Sequence, residues 1–444
     1  MKNFPNAFVI LIGVILFAWI LTYIIPQGSY VRIVDEGSGI TRVVNNSYEQ
    51  MDTVSPSFFD LLVSIPKGIS ERADLIVLIL LIGGCFYIIE KTEAFNQGLV
   101  KLVSSLKGKE SLALIIIAAL FTAGGATIGL QEEVVALIPI LLLFGKSLGY
   151  NAFTMIFASY GSTVIGSSFS PSNPFGVIIA QKEAALPLLS GSSLRLTTLL
   201  VAFVVWVVYL LYYANRNRID KIQMPDQNVS MAQSSKIILV LLGLTFSIVI
   251  FGIIQFDWGF SEMSGCFFAL GILSGLIAKM GWNKTGEIYV AGMKEMVFAC
   301  VIIGLANSIS ILLEDGMIMD TIVYGLFGPL QNFSPAVSGV LMMVSHTLLH
   351  FPVPSYSGQA ILTLPILVPL SDLIGLSRQI CVLAYQYGAI MPDMIVPTNG
   401  ALMAIIAIAK IPYNKWFKSA LKPTSLMLLI GAVTIIVAVA MGYN

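Results

Sequence analysis

Long apolar runs free of charge leave this chain few folds to choose from. Residues 8–25, 75–89, 196–213, 237–254 and 426–441 contain no Asp, Glu, Lys or Arg. They approach or reach the roughly 17 to 25 residues that cross about 30 Å of hydrocarbon. In lipid a backbone has to satisfy its own hydrogen bonds, so such runs are expected to be helices. Only 11% of the 444 residues are charged, against about a quarter in a soluble domain. The composition therefore excludes a water-soluble fold and predicts an all-α polytopic membrane protein.

The first run follows Lys2 and ends in Tyr23-Ile24-Ile25-Pro26 with no small-residue cleavage site, which reads as a retained first span. Zero net charge argues against a nucleic-acid partner. Cys85, Cys266, Cys300 and Cys381 lie scattered in apolar stretches without metal-ligand spacing, as packing residues do. No cofactor and no structural metal are expected.

Sixteen of the 24 Lys and Arg fall in a few clusters: Lys91–Lys109, Arg216–Lys236, Lys279 with Lys284, Lys410–Lys422, and the single Lys2 and Lys146. The positive-inside tendency places all of them in the cytoplasm, and the N-terminus with them. The loop 27–57, where Asp35, Glu36, Glu49 and Asp52 offset the arginines, is then external. The membrane is expected to be a bacterial inner membrane.

The two halves resemble each other. Pro139-Ile140-Leu141 recurs as Pro365-Ile366-Leu367, and the same shift of 226 residues carries Gly149 to Gly375, Ala158 to Ala384, Pro171 to Pro397 and Asn173 to Asn399 without a gap. The first half enters this unit from a basic, cytoplasmic loop and the second through 328–335, which has no basic residue. The repeats are therefore expected to be inverted, as in many secondary transporters. Residues 1–213 form the first repeat, 214–262 a cytoplasmic linker and extra span, and 263–444 the second repeat. Each contains a re-entrant hairpin (112–145 and 335–370) followed by a broken transmembrane helix (149–188 and 378–409).

The breaks are Ser167-Ser168-Phe169-Ser170-Pro171-Ser172-Asn173-Pro174 and Pro392-Asp393-Met394-Ile395-Val396-Pro397-Thr398-Asn399-Gly400. Proline removes an amide hydrogen and frees carbonyls that can coordinate a cation. The following half-helix offers unpaired N–H groups to an anion. A loop between two ordinary spans is the alternative reading. Glu132 and Glu133 sit together at the first hairpin tip; side chains adjacent on a helix diverge by about 100°, so one can face substrate while the other caps the half-helix. Ionisable groups within a membrane are functional by default. No Lys or Arg lies in either tip or break, which favours a substrate carrying an ammonium or guanidinium. His346 and His350 share a helical face at metal-ligand spacing, but the intervening Thr347, Leu348 and Leu349 lack a protease glutamate. Packing, proton or substrate handling and metal binding all remain open for them. Asp393 is a candidate for a cation site or for helix capping.

Several motifs resemble the four-carbon dicarboxylate carrier-like (YfcC-type) family of the ion transporter superfamily. They are Ile24-Ile25-Pro26-Gln27-Gly28, Gly129-Leu130-Gln131-Glu132-Glu133, Ser172-Asn173-Pro174-Phe175, Ser357-Gly358-Gln359-Ala360, Pro397-Thr398-Asn399-Gly400 and Ala409-Lys410-Ile411-Pro412-Tyr413-Asn414-Lys415-Trp416. The resemblance implies a scaffold domain and a mobile transport domain that moves as an elevator, in a homodimer. This chain departs from the pattern at Pro354-Ser355-Tyr356-Ser357, where a more glycine-rich turn is usual.

The expected function is secondary active transport of a small polar organic molecule: an amino acid, including a basic one exchanged for another, or a small peptide. A C4-dicarboxylate carrier coupled to sodium or protons is the alternative, and a channel the alternative outside that class. No enzyme is expected, since no nucleophile–base pair is evident. The expected substrate contacts are Gln131, Glu132, Glu133, Ser172, Asn173, Ser357, Gly358, Gln359, Thr398 and Asn399. Coupling by sodium or proton is expected at Ser170, Asp393 and Glu133.

Overall fold

The computed structural model describes residues 7–34, 41–43, 47–51, 55–94, 97–98, 109–220, 231–256 and 258–443. Lys2, Lys101, Lys107 and Lys221 of the basic clusters, and Asp35, Glu36 and Asp52 of the loop 27–57, lie outside them.

Helices dominate, as uninterrupted apolar runs require. Among the described residues, six helices are long and apolar enough to cross a bilayer: Ala73–Lys91, Glu110–Ile128, Ser192–Arg216, Phe260–Ile277, Trp282–Asp315 and Tyr413–Ala440. The all-α expectation meets one exception in the loop after the first helix. There Gly28–Ser29 pairs with Glu49–Gln50, and Arg32–Val34 with Thr41–Val43, both antiparallel. This small ribbon is clasped to the far half of the chain. The Arg32 guanidinium makes a bidentate pair with Asp320 at 2.8 and 2.7 Å, and the Tyr30 N–H donates to the same carboxylate at 2.9 Å. Its own hydrogen bonds to Asp320 hold the Arg32 guanidinium above its usual range.

The 34-residue helix Trp282–Asp315 is the central strut and packs on Ala7–Ile24, Phe58–Glu71 and Ala73–Lys91. A second body is built where Glu110–Ile128 crosses Ser162–Ser168. A Cβ on Gly125 would strike the Thr163 carbonyl, and one on Gly166 the Thr122 carbonyl. Small residues let the two backbones touch, as at many helix contacts in membranes.

Two helix–tip–helix units interrupt the pattern of simple helices: Glu110–Ile128 with Val134–Leu148, and Pro335–Leu349 with Tyr356–Leu373. At the first tip Gly129 adopts φ +69°, a left-handed conformation that closes the preceding helix and suits glycine. Each unit is followed by a helix that breaks. In the first, Ala152–Ile156 continues through a π-helical turn, Phe157–Gly161, into Ser162–Ser168; the chain then opens and restarts as a second π-helical turn at Pro174. In the second, Arg378–Ile390 tightens to a 3₁₀ turn, Met391–Met394, opens, and restarts at Gly400–Ile408. Proline at the breaks and asparagine immediately before each restart account for both interruptions.

Candidate functional site

Asn173 and Asn399 perform the same local task. Asn173 Oδ1 accepts from the Phe175 and Gly176 N–H groups at 2.9 and 2.8 Å, and Asn399 Oδ1 from the Leu402 N–H at 2.8 Å. Each thereby caps the second half of its broken helix.

The freed carbonyls at the breaks have donors, which the sequence did not suggest. At the first break Gln386 Nε2 donates to Ser170 O at 2.8 Å and to Ser167 O at 3.4 Å. Gln386 in turn accepts from the fully buried Arg195. At the second break the Asp393, Met394 and Ile395 carbonyls accept from Tyr160 (3.1 Å), Trp416 (2.8 Å) and Tyr413 (2.7 Å). These five carbonyls, expected to be open to a cation, each accept from a side chain. A buried carbonyl without a helical partner needs such a donor.

A cavity of about 450 Å³ opens where the first tip, the second tip and the second break meet. Gln131, Glu132, Glu133, Ser357, Asp393 and Asn399 line it; Thr398 lines a smaller adjoining space with Asn399. Phe175, Trp258 and Phe260 supply apolar wall. The other expected site residues are held away from it. Ser170 donates to Ala126 O and accepts from the Ser172 and Asn173 N–H groups; Ser172 also donates to Ala126 O, and Asn173 Nδ2 donates to Gly125 O at 2.8 Å. These three fasten the first break to the last turn of the Glu110–Ile128 helix. Gly358 N–H donates to the capping Ser355 hydroxyl. Gln359 is buried between the histidines.

The adjacent glutamates diverge. Glu133 Oε2 accepts from the Gln131 N–H at 3.0 Å, which ties it to the tip backbone. Glu132 faces the cavity, 3.9 Å from Arg72 Nη1, with the two side chains 36% and 39% exposed. At that distance and exposure the pair is weak and can open to a ligand. Arg72 is the residue sequence reasoning missed most clearly. It lies between the Phe58–Glu71 and Ala73–Lys91 helices, far in sequence from any tip or break, and Asp74 accompanies it on the wall. The absence of Lys and Arg from tips and breaks is real, yet the site is not free of cationic groups. The only sequence signal was a charged Glu71-Arg72-Ala73-Asp74 step between two apolar segments.

Asp393 is 1% exposed and does not cap a helix. Its Oδ1 accepts from His350 Nε2 at 2.6 Å and from Asn399 Nδ2, and its Oδ2 accepts from Gln131 Nε2. His346 and His350 do not converge on a metal. The Gln359 amide separates them, with His346 Nδ1 at 3.1 Å from Oε1 and His350 Nδ1 at 2.9 Å from Nε2. Among the described residues no group of three His, Cys, Asp or Glu is placed to hold a metal.

The profile of the family described as C4-dicarboxylate anaerobic carrier matches residues 4–440. A protein of Haemophilus influenzae is 29% identical over 497 residues, covering 99% of this chain and 97% of its own length. YfcC of Escherichia coli, provisionally named a basic amino acid antiporter, is 30% identical over 395 residues, covering 83% and 78%. The crystal structure of the YdaH transporter of Alcanivorax borkumensis aligns over 99% of each chain at 14% identity, with a TM-score of 0.45.

Proposed function

The chain belongs to the C4-dicarboxylate anaerobic carrier family, a family of multi-pass membrane transporters, and from that premise we propose that it carries an amino acid with a net positive charge. The observation that carries the proposal is the charge of the cavity wall. Among the described residues, Asp74, Glu132, Glu133 and Asp393 line the cavity together with one guanidinium, Arg72. An amino acid has one carboxylate for Arg72 and one or two cationic groups for the carboxylates. A dicarboxylate would bring two more negative charges to a wall already rich in them, at a desolvation and Coulomb cost that one arginine does not offset. The provisional naming of YfcC as a basic amino acid antiporter points the same way.

Inverted repeats, hairpins that re-enter from the side they leave, and elevator-type alternating access in a homodimer complete the proposal, with the N-terminus in the cytoplasm of a bacterial inner membrane. A reciprocal contact supports the repeat. Tyr160 donates to the Asp393 carbonyl and Gln386 donates to the Ser167 carbonyl; donor and acceptor positions are each related by the same 226 residues that relate Asn173 to Asn399. A contact made twice by equivalent positions is what a pseudo-two-fold axis generates.

Counterflow into proteoliposomes tests the substrate. Labelled arginine or lysine should accumulate against an internal load of either, and unlabelled succinate should not compete. Accumulation of succinate instead would overturn the proposal in favour of dicarboxylate transport, and non-saturating flux would favour a channel.

A further inference from the structure

We propose that Asp393 Oδ2 is a proton-binding site and that the Gln131 amide turns over when the proton arrives. The inference rests on the transporter reading in treating that proton as coupled to substrate movement. Its geometric basis is independent of what the substrate is.

Three hydrogen bonds of one polarity run toward Asp393. Gln359 Nε2 donates to the Val353 carbonyl at 2.9 Å, which can only accept, so the orientation of this amide is settled. Its second N–H then points at His350 Nδ1, leaving that nitrogen unprotonated and His350 Nε2–H as the donor to Asp393 Oδ1. Gln359 Oε1 accepts in turn from His346 Nδ1–H. A proton on His350 Nδ1 would meet the Gln359 N–H head on, and that amide cannot turn without losing Val353 and His346 together. Oδ1 already receives two donors, His350 and Asn399. Among the described residues, Oδ2 receives one, from Gln131.

The Gln131 amide is the part of the site free to respond. Its Oε1 is buried without a hydrogen-bond partner. Such an orphan acceptor is costly, and here it sits on the same amide that serves the carboxylate. When a proton from cavity water occupies an Oδ2 lone pair, Asp393 becomes neutral and its new O–H needs an acceptor. Rotation of the Gln131 amide by about half a turn presents Oε1 to that O–H. Gln131 directly precedes Glu132 on the cavity wall, so the turn links the proton to the substrate site.

The titratable groups facing Asp393 are His350 from the second helix–tip–helix unit, Tyr356 from its tip, Tyr160 from the first broken helix and Glu132 from the first tip. Glu133 and Arg72 stand beyond Glu132. Of these, Glu132 is the competing carboxyl, and the experiment has to separate it from Asp393.

Infrared difference spectroscopy on the purified full-length protein, without substrate or sodium, reads protonated carboxyls as the pH is lowered. Wild type should gain a protonated-carboxyl band that is absent in Asp393→Asn and retained in Glu132→Gln. Asp393→Asn is expected to fold, because its new amide N–H takes the place of the O–H and the turned Gln131 accepts it. His350→Phe, which removes a donor to the anion, should raise the midpoint of the same band by about one to two pH units. A band that survives in Asp393→Asn, one lost in Glu132→Gln, a spectrum that responds to sodium instead of pH, or a midpoint unmoved in His350→Phe would each overturn the proposal. Failure of arginine counterflow alone would leave these spectra unchanged and would count only against the substrate.

Discussion

Asn173 and Asn399 cap equivalent half-helices with their carbonyl oxygens and differ in where the amide nitrogen goes: Asn173 donates to the backbone of the Glu110–Ile128 helix at Gly125, Asn399 to the Asp393 carboxylate beside the cavity. One asparagine holds the scaffold of the site together, and the other belongs to its wall.

Substitution by Asp should separate those roles. Asn399→Asp keeps the cap but sets a second carboxylate against Asp393, so uptake of arginine should fall at least about tenfold. Asn173→Asp turns a carboxylate on the Gly125 carbonyl and removes a buried hydrogen bond, costing about 1 to 3 kcal/mol, read as a lower melting temperature in detergent. Asn151→Asp should be silent in both assays, since Asn151 only caps Ala152–Ile156 through the Thr154 N–H and Asp caps as well.

Glu132→Gln and Glu133→Gln should differ as sharply. Loss of a charge-assisted contact at Glu132 is worth about 1.5 to 3 kcal/mol, or roughly 10- to 150-fold in arginine affinity by scintillation proximity. Glu133→Gln retains an oxygen for the Gln131 N–H and should shift affinity by less than about threefold. Equal effects in the two variants would remove Glu132 from the binding wall.

Arg72→Ala should act on the substrate's carboxylate. Lysine affinity is expected to drop about tenfold or more, while cadaverine, which lacks the carboxylate, should bind wild type and variant alike. Parallel losses for both ligands would return Arg72 to a structural role alongside Asn307, which accepts from its Nε at 3.1 Å.

The small β-ribbon offers a stability test away from the site. Asp320→Asn removes the charge opposite Arg32, and because Arg32 is 38% exposed the loss should be about 1 kcal/mol. A guanidinium raised above its usual range contributes fully below that range and is lost only as the pH passes it, so from the Arg32 side the clasp should be flat up to about pH 12. Thermal melts of both proteins across neutral and alkaline pH measure the difference directly.

Topology is tested by cysteine labelling in a background with Cys266→Ala. Glu49→Cys, in the ribbon, should react with an impermeant maleimide in intact cells. Lys284→Cys, at the start of the central strut, should react only after permeabilisation. The reverse pattern would invert the orientation and, with it, the cytoplasmic assignment of the basic clusters.

The sequence by itself determined the membrane class, the family and the positions of both tips and both breaks. Those features are local: a charge-free run can only be a helix in lipid, and Pro-Ser-Asn or Pro-Thr-Asn interrupts a helix wherever it lies. It also marked Glu132 and Glu133 as costly charges in apolar surroundings and Asp393 as a candidate cation or capping group. Only the tertiary structure decided what those groups face. Arg72 reaches Glu132 across 60 residues, and His350 and Gln131 reach Asp393 from two different tips. The break carbonyls are answered by Gln386, Tyr160, Trp416 and Tyr413 from other helices. Hydrogen-bond partners of a buried polar group are set by distance and angle within about 3 Å, and no periodicity along the chain encodes which side chain will arrive there.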